Sequence, residues 1–228
     1  MRDHHISDVD RRALPAAAND SGWTLTELMI SMMIFAGLLA ATFSILITVS
    51  RQTADNLGHV RQVDQLTLGM MQIDREVRSG NVISNPSAEP SANSGVAPGY
   101  SLRVYTQADG VFQCVQWRVI FTAGVDQGRL EFRSWDPAWM STGNVKDWQV
   151  VARDLVDQHL VDATAKLPFT NEVAAGGSSA QSVRISLWAK DAKSSARSKA
   201  SAVSSVLTGR NTVFGYPSDE CAAIPPIG

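Results

Sequence analysis

From Leu28 to Val49 the chain carries no Lys, Arg, Asp, Glu or His. Leu, Ile, Met, Phe, Ala and Val fill most of that run, with Ser, Thr and Gly37 between them. As a helix, about 22 residues rise roughly 33 Å, enough to cross the hydrocarbon core of a bilayer. In lipid only a helix satisfies its own backbone polar groups within one segment, so a spanning run here must be helical. A cleaved secretory signal has a shorter apolar region with small residues after it. Here the glycine, Gly22, and the polar junction Thr24-Leu25-Thr26-Glu27 stand before the run. The rest of the chain has to follow from an anchor of this kind.

Glu27 has a plain reading, a carboxylate at the lip of a membrane segment where it costs little. Its neighbours suggest a sharper one. Gly22, Trp23, Thr24, Leu25 and Glu27, with the apolar run behind them, resemble the signal of type IV prepilins and of the pseudopilins of type II secretion. The resemblance implies cleavage between Gly22 and Trp23 by prepilin peptidase and N-methylation of the new amine on Trp23. A bulky aromatic, Trp23, stands where most members carry Phe. It further implies that Glu27, fifth after the cut, pairs with the terminal amine of a neighbouring subunit. A carboxylate and an ammonium attract strongly where the dielectric is low and are costly when separated there. The implied partners are prepilin peptidase, other pilins or pseudopilins, an inner-membrane assembly platform and membrane lipid.

Arg2, Arg11 and Arg12 precede the run, while Arg51 and Arg61 follow it, a small excess that favours a cytoplasmic N-terminus. The expected location is the cytoplasmic membrane, crossed once, with an extracytoplasmic head. The 228 residues carry a formal net charge of −2, which gives no basic surface for nucleic acid. Apolar content of 44% suffices for one core. Two cysteines, Cys114 and Cys221, are too few for a disulfide scaffold and lack metal-site spacing. Outside the membrane they would either pair or remain two independent thiols.

Residues 1–22 show no core-building periodicity and form the expected leader. Beyond Ser50, Leu57, Val60, Val63, Leu66, Met70, Ile73 and Val77 recur at spacings of three and four, the stripe of an amphipathic helix. No proline falls between Trp23 and Pro86, which predicts one helix from about Thr24 to about Ser79, with Gly80 and Asn81 as stop residues. Residues 23–50 would be its membrane and filament-core half, and 51–80 its amphipathic continuation. Gly37, Gly58 and Gly69 lower its propensity and mark bends or loosened turns.

Residues 81–228 read as a β-rich head. Asn85–Gly99 is a loop with three prolines. Leu102–Thr106, Val111–Phe121 and Arg129–Trp135 read as an antiparallel meander, with turns at Asp109-Gly110 and at Gly124–Gly128. Alternation places Val111, Gln113, Val115, Trp117 and Val119 on one face, and Phe112, Cys114, Gln116, Arg118 and Ile120 on the other. Asp136–Asn144 reads as an irregular loop and Trp148–Val156 as extended. Thr170–Gln181 reads as a loop tipped by Gly176-Gly177-Ser178-Ser179, and Ser182–Ala189 as a strand facing Val183, Ile185 and Leu187 to one side. Asp191–Ser205, rich in Ser, Ala and basic residues, reads as loop, and Thr208–Phe214 as a short edge strand. The fold class is α+β: a long N-terminal helix with its distal half on an antiparallel sheet.

Catalytic patterns are missing. The sequence contains no GxSxG, HExxH, Walker lysine loop or GxGxxG, so no enzyme and no cofactor is expected. Asp154, Asp157, His159 and Asp162 form the densest polar cluster; they could ligate a divalent ion, but solvated loop positions account for them. Trp117, Trp135, Trp139, Trp148 and Trp188 suit core packing better than sugar binding. His4, His5 and His59 suggest no catalysis. The resemblance implies a structural subunit, a minor pilin of the PilW type or a minor pseudopilin of type II secretion, in an initiating or tip position. The alternative is a single-pass anchored domain that binds or modifies a ligand outside the membrane and does not assemble.

Overall fold

A computed structural model of the chain describes residues 23–108, 110–122, 127–173, 179–190 and 199–227. The expected leader, Gly22, Asp109, Gly124 and the Gly176-Gly177 tip lie outside these residues. The chain divides into two units, one ending at Val49 and one beginning at Ser50.

One helix, α1, runs over Leu25–Arg78 without interruption. In the first unit every described residue from Trp23 to Val49 is exposed, so the helix is apolar around its whole circumference with nothing of the unit covering it. This is the one helix among the described residues that is long and apolar enough to cross a membrane. Its hydroxyls turn back on the backbone: Ser31 donates to the Glu27 carbonyl (2.7 Å), Thr42 to Leu38 (2.8 Å) and Thr48 to Ser44 (2.9 Å). A hydroxyl satisfied within its own helix costs little in an apolar environment.

In the second unit the helix lays Gly58, Gln62, Leu66, Gly69, Met70, Ile73, Glu76 and Val77 inward. This corrects the first turns of the expected stripe. Stepping back four residues from Leu66 gives Gln62 and Gly58, while Leu57 and Val60 are 54% and 55% exposed. Gly69 marks a close approach and not a bend: a Cβ there would sit 3.1 Å from Leu130 Cδ2.

Eight antiparallel strands form the sheet: β1 (Gly80–Ile83), β2 (Ser101–Thr106), β3 (Gln113–Phe121), β4 (Gly128–Trp135), β5 (Gln149–Leu155), β6 (Phe169–Glu172), β7 (Ser182–Ala189) and β8 (Ser201–Thr208). The order is β1-β2-β3-β4-β5-β7-β6, with β8 also on β7. The meander stands as expected, with Val104 opposite Val115 and Trp117 opposite Phe132. Gly110 takes a φ of 78° at the first turn, a conformation that glycine adopts without strain.

Several loop expectations give way. Gly80 and Asn81 do not simply stop the helix; they open β1 against β2. The loop over 85–99 holds a 3₁₀ turn at Pro86–Ala88 and the short helix α2 (Ser91–Ser94), and the segment 136–144 holds α3 (Trp139–Thr142). Part of Thr170–Gln181 pairs as β6. The largest correction is β8, in unbroken register with β7: its first five residues, Ser201–Ser205, belong to the segment expected as loop, of which residues 191–198 lie outside the described residues. The predicted edge strand after it is a 3₁₀ turn over Arg210–Phe214. Serine-rich composition reads as loop, but strand formation depends on what lies alongside, and β7 supplies a full row of partners.

The core lies between α1 and one face of the sheet. Leu66, Ile73 and Val77 meet Leu102, Val104, Val115, Trp117, Leu130, Leu155, Val183, Ile185 and Leu187, all fully or almost fully buried. Trp117 is fully buried and its ring centroid lies 4.6 Å from that of Phe132. The other face of β2–β4 is also covered. There Cys114, Tyr105, Val82, Trp135 and Cys221 form a second, smaller cluster.

Candidate functional site

The helix start is built by its own sequence. Thr24 Oγ1 accepts the Glu27 N–H at 3.3 Å, and the Thr24 carbonyl accepts from Leu28 N at 3.2 Å. Thr24 is thus the N-cap, and Glu27 is the third helical residue, the spacing of a capping box. A carboxylate in the first turn also suits the positive end of the helix. Among the described residues no side chain or backbone group donates to the Glu27 carboxylate. Trp23 is 70% exposed. Gly22 lies outside the described residues, so the geometry of the expected cleavage bond is not on view; Trp23 precedes the N-cap and Glu27 lies in the first turn, both exposed.

Cys114, inside β3, and Cys221 form a disulfide across 107 residues of sequence. It pins a strap, residues 221–227, over the outer face of β2–β4. Arg103 Nη1 donates to the Cys221 carbonyl, Trp139 Nε1 to Ala223 (2.9 Å) and Asn93 Nδ2 to Ile224 (3.2 Å). Arg133 donates to the Pro225 and Pro226 carbonyls, each at 3.0 Å.

Beneath the strap is a polar layer. Arg118 Nε bonds Glu131 at 2.7 Å and Nη1 bonds the Ser94 carbonyl at 2.8 Å. Arg129 also bonds Glu131. Arg133 Nη2 bonds Gln116 Oε1 at 2.8 Å, and Gln116 Nε2 bonds Ser101 at 3.1 Å. The Trp148 ring lies under two guanidinium groups, 3.8 Å from Arg118 Cζ and 4.5 Å from Arg133 Cζ; a cation over an aromatic face is attracted to it, more so when desolvated. Arg103 Nε lies 3.1 Å from Glu89 Oε1, close enough for an ion pair but not aligned as a hydrogen bond.

The two carboxyls of this layer are tuned in opposite directions. Burial raises Glu89, against the opposing pull of Arg103 and Arg133. Burial also acts on Glu131, but hydrogen bonds from Arg129 and Arg118 outweigh it and hold the group below its ordinary value. Burial, with Arg118 nearby, lowers the Arg133 guanidinium to about 10.

The expected polar cluster disperses into local roles. Asp157 caps a short helix, α4 (Gln158–Val161), by accepting from His159 N at 3.0 Å. Asp162 accepts from Thr164 N and Oγ1. Asp154 takes a φ of 60° within β5. Among the described residues no group of three or more His, Cys, Asp or Glu is placed to hold a metal ion. His59 Nδ1 lies 2.7 Å from Ser201 Oγ, which also bonds Gln62, and so ties α1 to β8. Trp117 and Trp135 are core residues, while Trp139 and Trp148 serve the strap and the arginines.

The arginine layer was missed at the level of sequence. Its signal was the parity of β3, which places Arg118 and Gln116 on the same face as Cys114. A charged residue and a cysteine on one strand face suggest that this face is covered. Comparison with known proteins adds no relative: no family model, no curated protein and no solved structure matches the chain.

Proposed function

We propose that this protein is a structural subunit, of the minor kind, in a type IV pilus-like filament or a type II secretion pseudopilus. Prepilin peptidase would cut it after Gly22 and methylate Trp23. Its partners would be other pilins or pseudopilins and the inner-membrane assembly platform, and its head would lie outside the cytoplasmic membrane.

One observation carries the reading. A helix that starts at Leu25, one residue behind the Gly22-Trp23-Thr24 junction, keeps Glu27 in its first turn, stays uncharged and exposed through Val49, and then continues as the core helix of a sheet domain. An all-round apolar helix with no cover needs lipid or other helices around it. Among the described residues nothing donates to the Glu27 carboxylate, so an apolar assembly of such helices would demand a cation beside it, and a newly freed α-amine is one.

Mass spectrometry of the membrane-extracted protein tests the reading. The expected product begins at Trp23 and carries one added methyl group. Recovery of intact Met1 from cells that contain an active prepilin peptidase would end it.

A further inference from the structure

The strap's contacts have an unusual chemistry. Five of its carbonyls, at Cys221, Ala223, Ile224, Pro225 and Pro226, accept hydrogen bonds, and every donor is a side chain of the head. The donors are Arg103, Trp139, Asn93 and Arg133. Arg and Trp side chains can only donate. At Pro225 and Pro226 the strap has no N–H and can only accept. At the proline end the fit is between an arginine, which cannot accept, and two carbonyls whose residues have no N–H to offer, and proline also pre-sets an extended backbone with little entropy left to lose. Aromatic rings flank this floor: Trp135, Trp139 and Tyr216 belong to the cluster around Cys221 and Ile224. The strap's own side chains add the disulfide and burial of Cys221, the burial of Pro225 and the packing of Ile224 and Ile227.

Arg133 makes the arrangement consequential. Its hydrogen bonds go to Gln116 and to the carbonyls of Asn93, Pro225 and Pro226, none of them to a carboxylate. Lifting the strap removes two of these acceptors from a buried cation, which then needs others.

We propose that the outer face of β2–β4 is a peptide-binding groove that reads main-chain carbonyls, that its ligand class is an extended, proline-containing segment, and that residues 221–227 are its resident occupant, latched by Cys114–Cys221. Opening the latch frees the groove for such a segment from another chain. A dithiol opens it by giving two electrons and two protons to the pair, which become thiols while the reductant becomes its own disulfide. Nothing in this depends on the filament reading.

The test uses the full chain in detergent, as Cys221→Ser, which leaves Cys114 a free thiol under an unlatched strap. Two peptides are offered, Cys-Ala-Ala-Ile-Pro-Pro-Ile and Cys-Ala-Ala-Ile-Ala-Ala-Ile, each as its mixed disulfide with 2-nitro-5-thiobenzoate. The Cys114 thiolate attacks the peptide sulfur, forms a Cys114–peptide disulfide and expels the coloured thiolate, whose absorbance gives the rate. The tethered strap competes equally with both peptides, so the ratio of rates reads groove preference alone. Both peptides present the same carbonyls, so the proline peptide should react faster through its pre-set backbone alone, by at least about fourfold for two prolines. Arg133→Gln, which loses the donor to the Pro225 and Pro226 carbonyls, should slow both peptides by about tenfold. Trp139→Phe, which loses the donor to the Ala223 carbonyl, should also slow both, a milder change that decides the matter if Arg133→Gln does not fold. Equal rates for the two peptides, or no modification of Cys114 by either, would overturn the proposal.

Discussion

Arg118 and Glu131 are register partners on β3 and β4, and their side chains meet at 2.7 Å with both almost fully buried. The pair sits under the strap and beside Trp148, so it is cut off from water on the face where strands usually show polar groups to solvent. An ion pair in such a place is costly to break from one side, because the remaining charge stays buried and unmatched.

Glu131→Gln should therefore destabilise the head by about 3 kcal/mol at neutral pH. The folded carboxyl titrates below its ordinary value, so its contribution is present above the unfolded pKa, about 4.3, and is lost as pH falls through the folded value. The gap between parent and variant should close in that acid range, measured as denaturation midpoints against pH. Glu89 has the opposite sign. Its folded pKa is raised, so its contribution is fullest below about 4.3 and fades as pH rises through the folded value. Glu89→Gln should cost less at neutral pH than Glu131→Gln, and the reverse order would refute this assignment of the two carboxyls.

Removing the disulfide should weaken the head without dissolving it. The bond closes a 107-residue loop, and loss of a loop that long costs about 2–4 kcal/mol in measured cases. The core between α1 and the sheet contains neither cysteine. Thermal unfolding of Cys114→Ser/Cys221→Ser should show one cooperative transition at lower temperature. Loss of the transition altogether would mean that the strap is needed for the core to form.

Trp117→Ala should be among the most damaging single changes. The side chain is fully buried in the central strand against Phe132 and the helix-facing core. A large-to-small change there leaves a cavity and costs about 3–5 kcal/mol. Trp139→Phe, by contrast, removes one hydrogen bond and should cost about 1 kcal/mol. Urea denaturation of the two variants side by side checks the ranking.

Glu27 should matter for assembly and not for the head. It belongs to the unit that ends at Val49, and the sheet core is built entirely from residues beyond Ser50. Glu27→Gln keeps the helix start, since Thr24 caps through its own oxygen. Head stability and cleavage should stay near the parent's, while incorporation into filaments, measured by co-purification, should fall. A drop in membrane level with unchanged incorporation per molecule would assign Glu27 to insertion.

Where the sequence was legible, a single periodicity carried the information. An uncharged run is helical in lipid whatever else the chain does, and the lack of proline from Trp23 to Pro86 lets that helix run on to Arg78. Strict alternation likewise marks β7 and the meander, because a strand with one face in a core needs period two. Leu57 and Val60 misled because apolar spacing does not say which of two adjacent stripes a sheet will cover.

What only the tertiary structure decided is everything that depends on a partner distant in sequence. β8 is a strand because β7 lies alongside it, not because Ser-Ala-Val-Ser-Ser-Val-Leu-Thr prefers to be one. The tail is a strap because Arg103, Trp139, Asn93 and Arg133, far apart in sequence, present donors along one line of carbonyls. The two cysteines were compatible with a bridge or with separate thiols until β3 and the strap were brought together. The sequence alone determined the helix and its apolar, uncharged first half, since those follow from local backbone satisfaction and from charge. The buried arginine layer and its cover could come only from the fold, because the energy of a buried charge depends on which acceptors are brought against it.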